Sequence, residues 1–488
     1  MIPALQTPEA FYATRDDRTR RCGVADRFAD ARVALSIDSS EAERFEGQFA
    51  FLLAANLLAR WCRRVRFVVP AVALDPRLRG VLDVGWATHT SLGEAAAAVA
   101  RAADPFGVFE VSGPAGGTWL RLHVGAGGPS DGFAIQGRGW LALGGEAVGT
   151  ARPSTAPPLG AALAACIGVG WVFRAALGDR HLPRAVRLSL FDLEAGAECI
   201  DGPCLGPVDL GAVLLVGCGA VGSAIVFLLP ILGLTGRFEL VDRDLVDGPN
   251  LNRAPLFKVA DVGRPKVSVC AEYLERHGIT ATPVEAWFDE AVVAGRVFRV
   301  RPDLVIPAAN ERDVRHLIQH HVPPLQVYGS TGRDWNAFLG RHIPLREDCL
   351  ACRFPASPLS APPMACGTGR ADLATSARAH EPDAALPFLP TAAATLAVAE
   401  LFKVAAGIAR PGPNFACLDF RGAMDKFFAA QQGPRAGCVC DGQERVWHRI
   451  NGATRFAAQS VTPGASPRPK DAAAMPLHDQ SPSARVAP

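Results

Sequence analysis

The run Val213-Leu-Leu-Val-Gly-Cys-Gly-Ala-Val-Gly-Ser223 leaves few folds open to this chain. Val213 to Val216 is uniformly apolar, as a strand covered on both faces must be. Gly217, Gly219 and Gly222 come next at GxGxxG spacing, and the apolar stretch Ala220 to Leu232 reads as a helix. A second strand, Phe238 to Val241, ends at Asp242, so strand, turn, helix and strand make a βαβ unit. Glycines at such a turn permit a tight bend and close backbone approach, while the helix N-terminus faces an anion. Asp242 lies twenty residues past Gly222, where a carboxylate accepts hydrogen bonds from ribose hydroxyls. These features predict a nucleotide site in an α/β fold with a mostly parallel sheet. They suit an NAD-dependent oxidoreductase equally well.

The residues beyond Asp242 separate a phosphate-centred site from hydride transfer. Asp244, Asn250, Asn252, Arg253 and Lys266 add an acid, two amides and two cations. A hydride-transfer site has no use for an arginine and a lysine converging on a triphosphate. The block D-x-D-x-V-x-x-x-N-L-N-R, then L-F, then D-V-G-x-x-K resembles the adenylation domain of the ubiquitin-activating enzyme superfamily, which includes ThiF and MoeB. The resemblance implies a Rossmann-like, ThiF-type adenylation fold that binds ATP. Asp242 would hold the ribose, Arg253 and Lys266 the phosphates, and Asp244 and Asn252 would complete the site over Gly217, Gly219 and Gly222. The family usually places D-A-T-D-N-x-x-T-R after its fourth strand, and the second aspartate of that motif helps bind magnesium. Here the segment is Pro307-Ala-Ala-Asn-Glu-Arg-Asp-Val-Arg315, which puts Asn310 in that place. A neutral amide is a weaker ligand for a hard cation. Either Glu311 or Asp313 substitutes, or magnesium (Mg2+) is held mainly by phosphates and Asp244.

Cys349-Leu-Ala-Cys352 precedes Arg-Phe-Pro, and Cys438-Val-Cys440 comes far downstream, giving four thiols that could close a tetrahedral zinc site. The family carries CxxC near a Phe-Pro and a second pair after its last strands, usually CxxC where this chain has CxC. The resemblance implies structural zinc (Zn2+) pinning the two ends of a crossing segment, 356–386, to the domain. Cys366, in Met364-Ala-Cys-Gly-Thr-Gly369, lies in that segment, where relatives that pass an activated modifier onward carry a nucleophile. A thiolate attacks an acyl-adenylate readily because AMP leaves well. Relatives that only adenylate also have a cysteine nearby, so the spacing leaves both roles open. Cys166, Cys218, Cys270 and Cys417 read as small apolar fillers. His316, His320 and His321 read as structural, since no carboxylate is spaced to complete a metal set with them.

At 488 residues, 49% of them apolar, the chain has room for two or three domains. Residues 1–200 alternate helical patterns at Phe49 to Cys62 and Pro158 to Leu177 with strand patterns at Val65 to Val69, Trp119 to Val124 and Phe133 to Leu143. None of these strand-to-helix turns carries a glycine fingerprint, so residues 1–200 are expected to be an α/β domain without a nucleotide site, which the resemblance implies is a degenerate, inactive adenylation-like domain. Gly196 to Gly211 reads as a linker, and residues 205–440 as the active adenylation domain. That domain would include strands at Leu304 to Ile306 and Gln326 to Tyr328 and helices at Asp313 to His320 and Ala392 to Val404. Residues 441–488 drift into Ala, Pro and Ser and read as a disordered tail. No internal repeat is visible in the sequence.

Leu159 to Phe173 is too short and glycine-rich for a membrane span and reads as a core helix. The start, MIPALQTPEAFYATRDDRTRR, lacks the basic and apolar regions of a signal peptide, so a cytoplasmic chain is expected. Its thirteen cysteines should then be thiols or metal ligands rather than disulfides. Fifty basic against forty-eight acidic residues give no field for nucleic acid or an anionic membrane as partner.

The function implied by the resemblance is ATP-dependent adenylation of the C-terminus of a ubiquitin-like protein, then thioester transfer through Cys366 to a conjugating enzyme. The superfamily works in pairs, as a homodimer or as active plus inactive halves, and the partner half can lend an arginine. Arg18, Arg20 and Arg21 are the residues of the first half that could do so. The layout resembles bacterial ubiquitin-like conjugation systems found in antiviral operons. A sulfur-carrier adenylyltransferase of the ThiF or MoeB kind, without thioester transfer, is the alternative within the family.

Overall fold

A computed structural model describes residues 6–21, 28–79, 91–113, 118–126, 128, 131–145, 157–179, 185–310, 312–332, 334–354, 385–409, 412–452 and 454–456. The first sheet contains β1 (Arg32–Ile37), β2 (Arg64–Val68), β3 (Val108–Val111), β4 (Leu120–Val124), β5 (Phe133–Arg138), β6 (Leu141–Gly145) and β7 (Ala185–Ser189). Its order is β3-β2-β1-β4-β5-β6-β7, parallel from β3 to β5 and antiparallel from β5 to β7. The second sheet contains β8 (Val208–Val216), β9 (Leu234–Val241), β10 (Thr280–Val284), β11 (Leu304–Pro307), β12 (Gln326–Thr331), β13 (Asn336–His342), β14 (Phe415–Asp419) and β15 (Phe427–Ala430). Its order is β10-β9-β8-β11-β12-β13-β14-β15, parallel from β10 to β12 and antiparallel beyond.

Strand for strand, the two sheets share one order and one set of directions, and among the described residues β15 is the one addition. The chain is thus a topological repeat that its sequence does not display. The helices correspond as well. In the first half α1 (Pro8–Arg15) and α2 (Asp17–Arg20) precede β1, α3 (Ser39–Ala42) and α4 (Phe45–Ala59) join β1 to β2, α5 (Leu92–Ala103) joins β2 to β3, and α6 (Leu159–Ala176) lies between β6 and β7. In the second, α7 (Ala220–Ile231) and α8 (Lys266–Arg276) make the first two crossovers, with α9 (Phe288–Val293) and α10 (Arg312–His320) after them. Next come α11 (Leu350–Arg353), α12 (Phe388–Ala405), between β13 and β14, and α13 (Glu444–Asn451).

The equivalent helices α6 and α12 are apolar around most of their circumference because both are covered on every face, and the charges that α12 buries, Glu400 and Lys403, are paired with each other. They pack on each other, on α4 and α7, and on the sheets, so the two halves share one core. Phe173 of α6 meets Trp61 at 5.1 Å in its own half and Trp335 at 5.5 Å and Phe388 at 5.9 Å in the other. A Cβ at Gly170 would come 2.8 Å from the Phe420 ring, so this crossing requires glycine. Both helices are long and apolar enough to cross a membrane by length and composition, and both are buried inside this core.

Three expectations are corrected. Phe133 to Leu143 is a hairpin rather than one strand, because Gly139, at φ +51°, turns the chain between β5 and β6. The expected linker ends early: Val208 to Gly211 already belongs to β8, and Asp201 and Pro203 are tied to Trp140 of the first half. The disordered tail does not begin at 441, since α13 forms there with Trp447 1% exposed and Asn451 donating to the Val322 carbonyl. Residues 457–488 lie outside those described.

Candidate nucleotide site and thiol cluster

The glycine turn lies at the carboxyl end of β8, next to β11, where the sheet order reverses and ligands of doubly wound folds bind. Gly217 has φ +96°, and a Cβ there would stand 2.7 Å from the Ala309 nitrogen. The loop after β11, which carries Asn310, is therefore pressed against the turn. At Gly219, the N-cap of α7, a Cβ would meet nothing within 4 Å. The turn thus presents bare backbone to open space, as close approach by an anion requires.

Asp242 ends β9 beside this turn. One carboxylate oxygen accepts from the Cys218 backbone N–H at 2.7 Å and the other from the Asp244 N–H at 2.8 Å. Burial pushes its carboxyl above the usual range, and the Lys266 ammonium pulls it back. Lys266 opens α8, is 2% exposed, and donates through Nζ to Asp244 Oδ2 at 2.8 Å. The ends of the long 244–266 loop are bridged through Leu245 and Pro265, which holds the lysine beside the strand edge. Asp242, Asp244, Lys266 and the glycine turn form one hydrogen-bonded group.

The middle of that loop is built differently. Asp247 caps the short helix Gly248–Asn252, and Asn250 accepts the Asp247 N–H at 3.0 Å, so Asn250 shapes the turn. Asn252 is fully buried, and its amide nitrogen donates to Thr19 Oγ1 at 3.1 Å and the Ala385 carbonyl at 2.9 Å. Its oxygen accepts from Arg253, which also donates to the Pro249 carbonyl. Asn252 therefore anchors Arg253, 8% exposed, and ties the loop to α2 of the first half. The motif spacing places Asn252 in the site, but its reach to Thr19 joins two distant segments and leaves no local signal.

Arg18 is buried on α2, and its carbonyl accepts from Ala385. Arg20 bonds back to Ala13, and Arg21 pairs with Asp17 at 3.2 Å. Asn310 is half-buried after β11, and Asp313 is exposed on α10. His316 bonds the Phe354 carbonyl. Cys166, Cys218 and Cys270 are buried. Glu311 and Cys366 lie outside the described residues.

Cys349 caps α11, and Cys352 closes it one turn later, while Cys438 and Cys440 arrive from the chain after β15. All four sulfurs lie within 4.8 Å of one another. The separations are 3.8 Å for Cys349 to Cys352, 3.6 Å for Cys349 to Cys438 and 3.5 Å for Cys352 to Cys440. Tetrahedral thiolate coordination at about 2.3 Å puts sulfurs about 3.8 Å apart, so this set fits a zinc-sized ion. The Arg435 N–H donates to the Cys352 sulfur at 3.4 Å, the outer-shell bond such ligands usually receive. This set could hold a metal.

Residues 209–439 match the family model described as "ThiF family". An uncharacterized protein, y4jF, of Sinorhizobium fredii is 28% identical over 338 residues, 67% of this chain and 60% of that one. The SAMP-activating enzyme E1 of Haloferax volcanii is 30% identical over 158 residues, 30% of this chain and 54% of that one. The molybdopterin-synthase adenylyltransferase of Escherichia coli is 37% identical over 106 residues, 21% of this chain and 41% of that one. The matches thus span between two fifths and three fifths of these relatives' lengths.

Proposed function

Since residues 209–439 are a ThiF-family domain, we propose that the protein adenylates the C-terminal carboxylate of a small ubiquitin-like protein at the expense of ATP. A carboxylate oxygen attacks the α-phosphorus, the bond to the β-phosphate oxygen breaks, and pyrophosphate leaves with its electron pair. Backbone N–H groups at Gly217 to Gly219 receive phosphate oxygens, Asp242 accepts from the ribose, and Lys266 and Arg253 offset charge growing on the equatorial and leaving oxygens. Magnesium would be held by phosphate oxygens and by Asp244, whose side chain is 36% exposed, with Asn310 offering a neutral oxygen, and would supply charge neutralisation. The four-cysteine set would hold structural zinc.

The observation that carries this reading is the Asp242, Asp244 and Lys266 group at the glycine turn: a buried cation beside backbone that receives phosphate oxygens serves a triphosphate, for which hydride transfer has no use. The matching strand order of the two sheets supports a degenerate adenylation half fused to an active one. Of the three N-terminal arginines, Arg18 would lend the charge: it is buried on α2, which packs on the 248–252 turn, whereas Arg20 bonds back to Ala13 and Arg21 pairs with Asp17. The first half would then serve as the partner that relatives recruit as a second subunit. Pyrophosphate exchange into ATP, dependent on a β-grasp protein with an exposed glycine tail, tests the proposal. Hydride exchange with a nicotinamide, and no such exchange, would end it.

Thioester transfer is a separable step, in which the Cys366 thiolate attacks the acyl carbon and AMP departs. Cys366→Ala is expected to keep pyrophosphate exchange within about twofold, since adenylation precedes the thiol step. The thiol-sensitive adduct with the modifier should vanish on a non-reducing gel. If the adduct persists, another nucleophile is used; if none forms with the wild-type chain, the sulfur-carrier type of adenylyltransferase is favoured.

A further inference from the structure

Arg60 comes directly after α4 in the first half, is 1% exposed, and spends its guanidinium on the second half. Nη1 donates to the Leu251 carbonyl at 2.7 Å, and Nη2 to the carbonyls of Pro255 at 2.8 Å and Phe257 at 3.1 Å. Nε donates to Asn56 Oδ1 at 2.7 Å, and the Asn56 amide nitrogen in turn donates to Pro255 at 3.1 Å. These carbonyls bracket the pair Asn252 and Arg253. Burial, with help from nearby Arg15, pulls the Arg60 pKa below the ordinary guanidinium value. A buried cation compensated by carbonyl dipoles is a poor way to gain stability, because an apolar side chain of the same volume would avoid the desolvation. What the planar fork does supply is a fixed spacing between carbonyls on either side of Arg253.

We propose that Arg60, oriented by Asn56, is a positioning residue for the nucleotide site: α4 of the degenerate half sets the 251–257 segment of the active half and thereby aims Arg253. This role presupposes that the glycine turn, Arg253 and Lys266 bind ATP. It gives the first half a part in every turnover besides any lent arginine. The lysine end of the loop is bridged within the second half, through Leu245 and Pro265, whereas its arginine middle is held from the first half by Arg60, Asn56 and Thr19. The lysine is thus positioned from within the second half, and the arginine by its own loop together with the first half.

ATP titrated calorimetrically into the full chain tests this without knowledge of the protein substrate. Arg60→Met is expected to bind ATP about ten- to a hundredfold more weakly, the scale on which a displaced charge-binding group registers. Arg60→Lys should recover part of the loss. Phe173→Leu, in the aromatic contact between the halves, controls for loosening: it should lower the thermal midpoint and leave ATP affinity unchanged. Amide exchange across 249–257 should quicken in Arg60→Met and not in Phe173→Leu. If Arg60→Met does not fold, Asn56→Ala carries the test with the same two readouts. Wild-type chain that binds no ATP overturns the nucleotide reading itself. Wild-type binding with unchanged affinity in the Arg60 or Asn56 variant, or an equal loss in Phe173→Leu, overturns the positioning role alone.

Discussion

Lys266→Met is expected to slow pyrophosphate exchange at least about a hundredfold, equivalent to about 2.7 kcal/mol of lost charge stabilisation. Methionine keeps most of the buried stem, so α8 should form and the change should isolate the ammonium. The same substitution leaves Asp244 without its 2.8 Å partner and removes the cation that pulls the Asp242 carboxyl down. Burial then acts on Asp242 with less opposition, so its pKa rises further. A protonated Asp242 accepts poorly from ribose hydroxyls and from the Cys218 N–H. Binding should therefore be lost on the acid side, with the midpoint of that loss at higher pH in the variant than in the wild type. ATP affinity measured between about pH 5 and pH 8 checks the direction against the ordinary carboxylate range. Arg253→Ala should cost a similar factor in exchange without moving the acid limb, because the Asp242 carboxylate takes its backbone donors from Cys218 and Asp244 and its lowering cation from Lys266. A Lys266 variant with wild-type exchange would remove the lysine from the phosphate site.

The parts of this site that can be read from sequence are those the chain makes locally. Gly217 to Gly222, Asp242 and Lys266 lie on one βαβ unit and its continuation, where spacing and residue type determine position. The helix starting near Leu159 and the one starting at Ala220 are equally legible, because long apolar runs have few alternatives. The losses are non-local. β1, Arg32–Ile37, takes its place inside the first sheet from partners 32 and 87 residues away at Val33↔Val65 and Val33↔Leu120, which no window over β1 contains. The common strand order of the halves is a property of pairings, so it survives when residue similarity does not. The roles of Asn252 and Arg60 belong to contacts between halves, and from sequence alone Arg60 is one more polar residue ending a helix. α5 has a signal that was open to reading, since Ser91 and Glu94 form a reciprocal cap before an alanine-rich stretch.

Removal of one cysteine from the four-thiol set should produce the second large effect, and a local one. Zinc content of the chain as isolated is expected at about one ion per molecule and near zero in Cys349→Ser or after strong chelation, since a structural site needs all four ligands. The free energy of such a site, about 10–16 kcal/mol in small zinc-dependent folds, cannot appear in full here because the shared core remains without it. What should be lost is the junction between α11 and the segment after β15. That junction is also braced by buried charge: Arg353 bonds Asp348 at 2.6 Å and Tyr328 at 2.8 Å, and Asn414 bonds Asp348 at 2.7 Å. These bonds keep the start of α11 near β14 when metal is absent, but none of them reaches Cys438 or Cys440. Protease cleavage and amide exchange should therefore rise most at 435–441, less at 349–354, and least in the glycine turn. Zinc retained in Cys349→Ser, or exchange unchanged at 435–441 once zinc is gone, would mean that the four sulfurs meet without a metal to hold them.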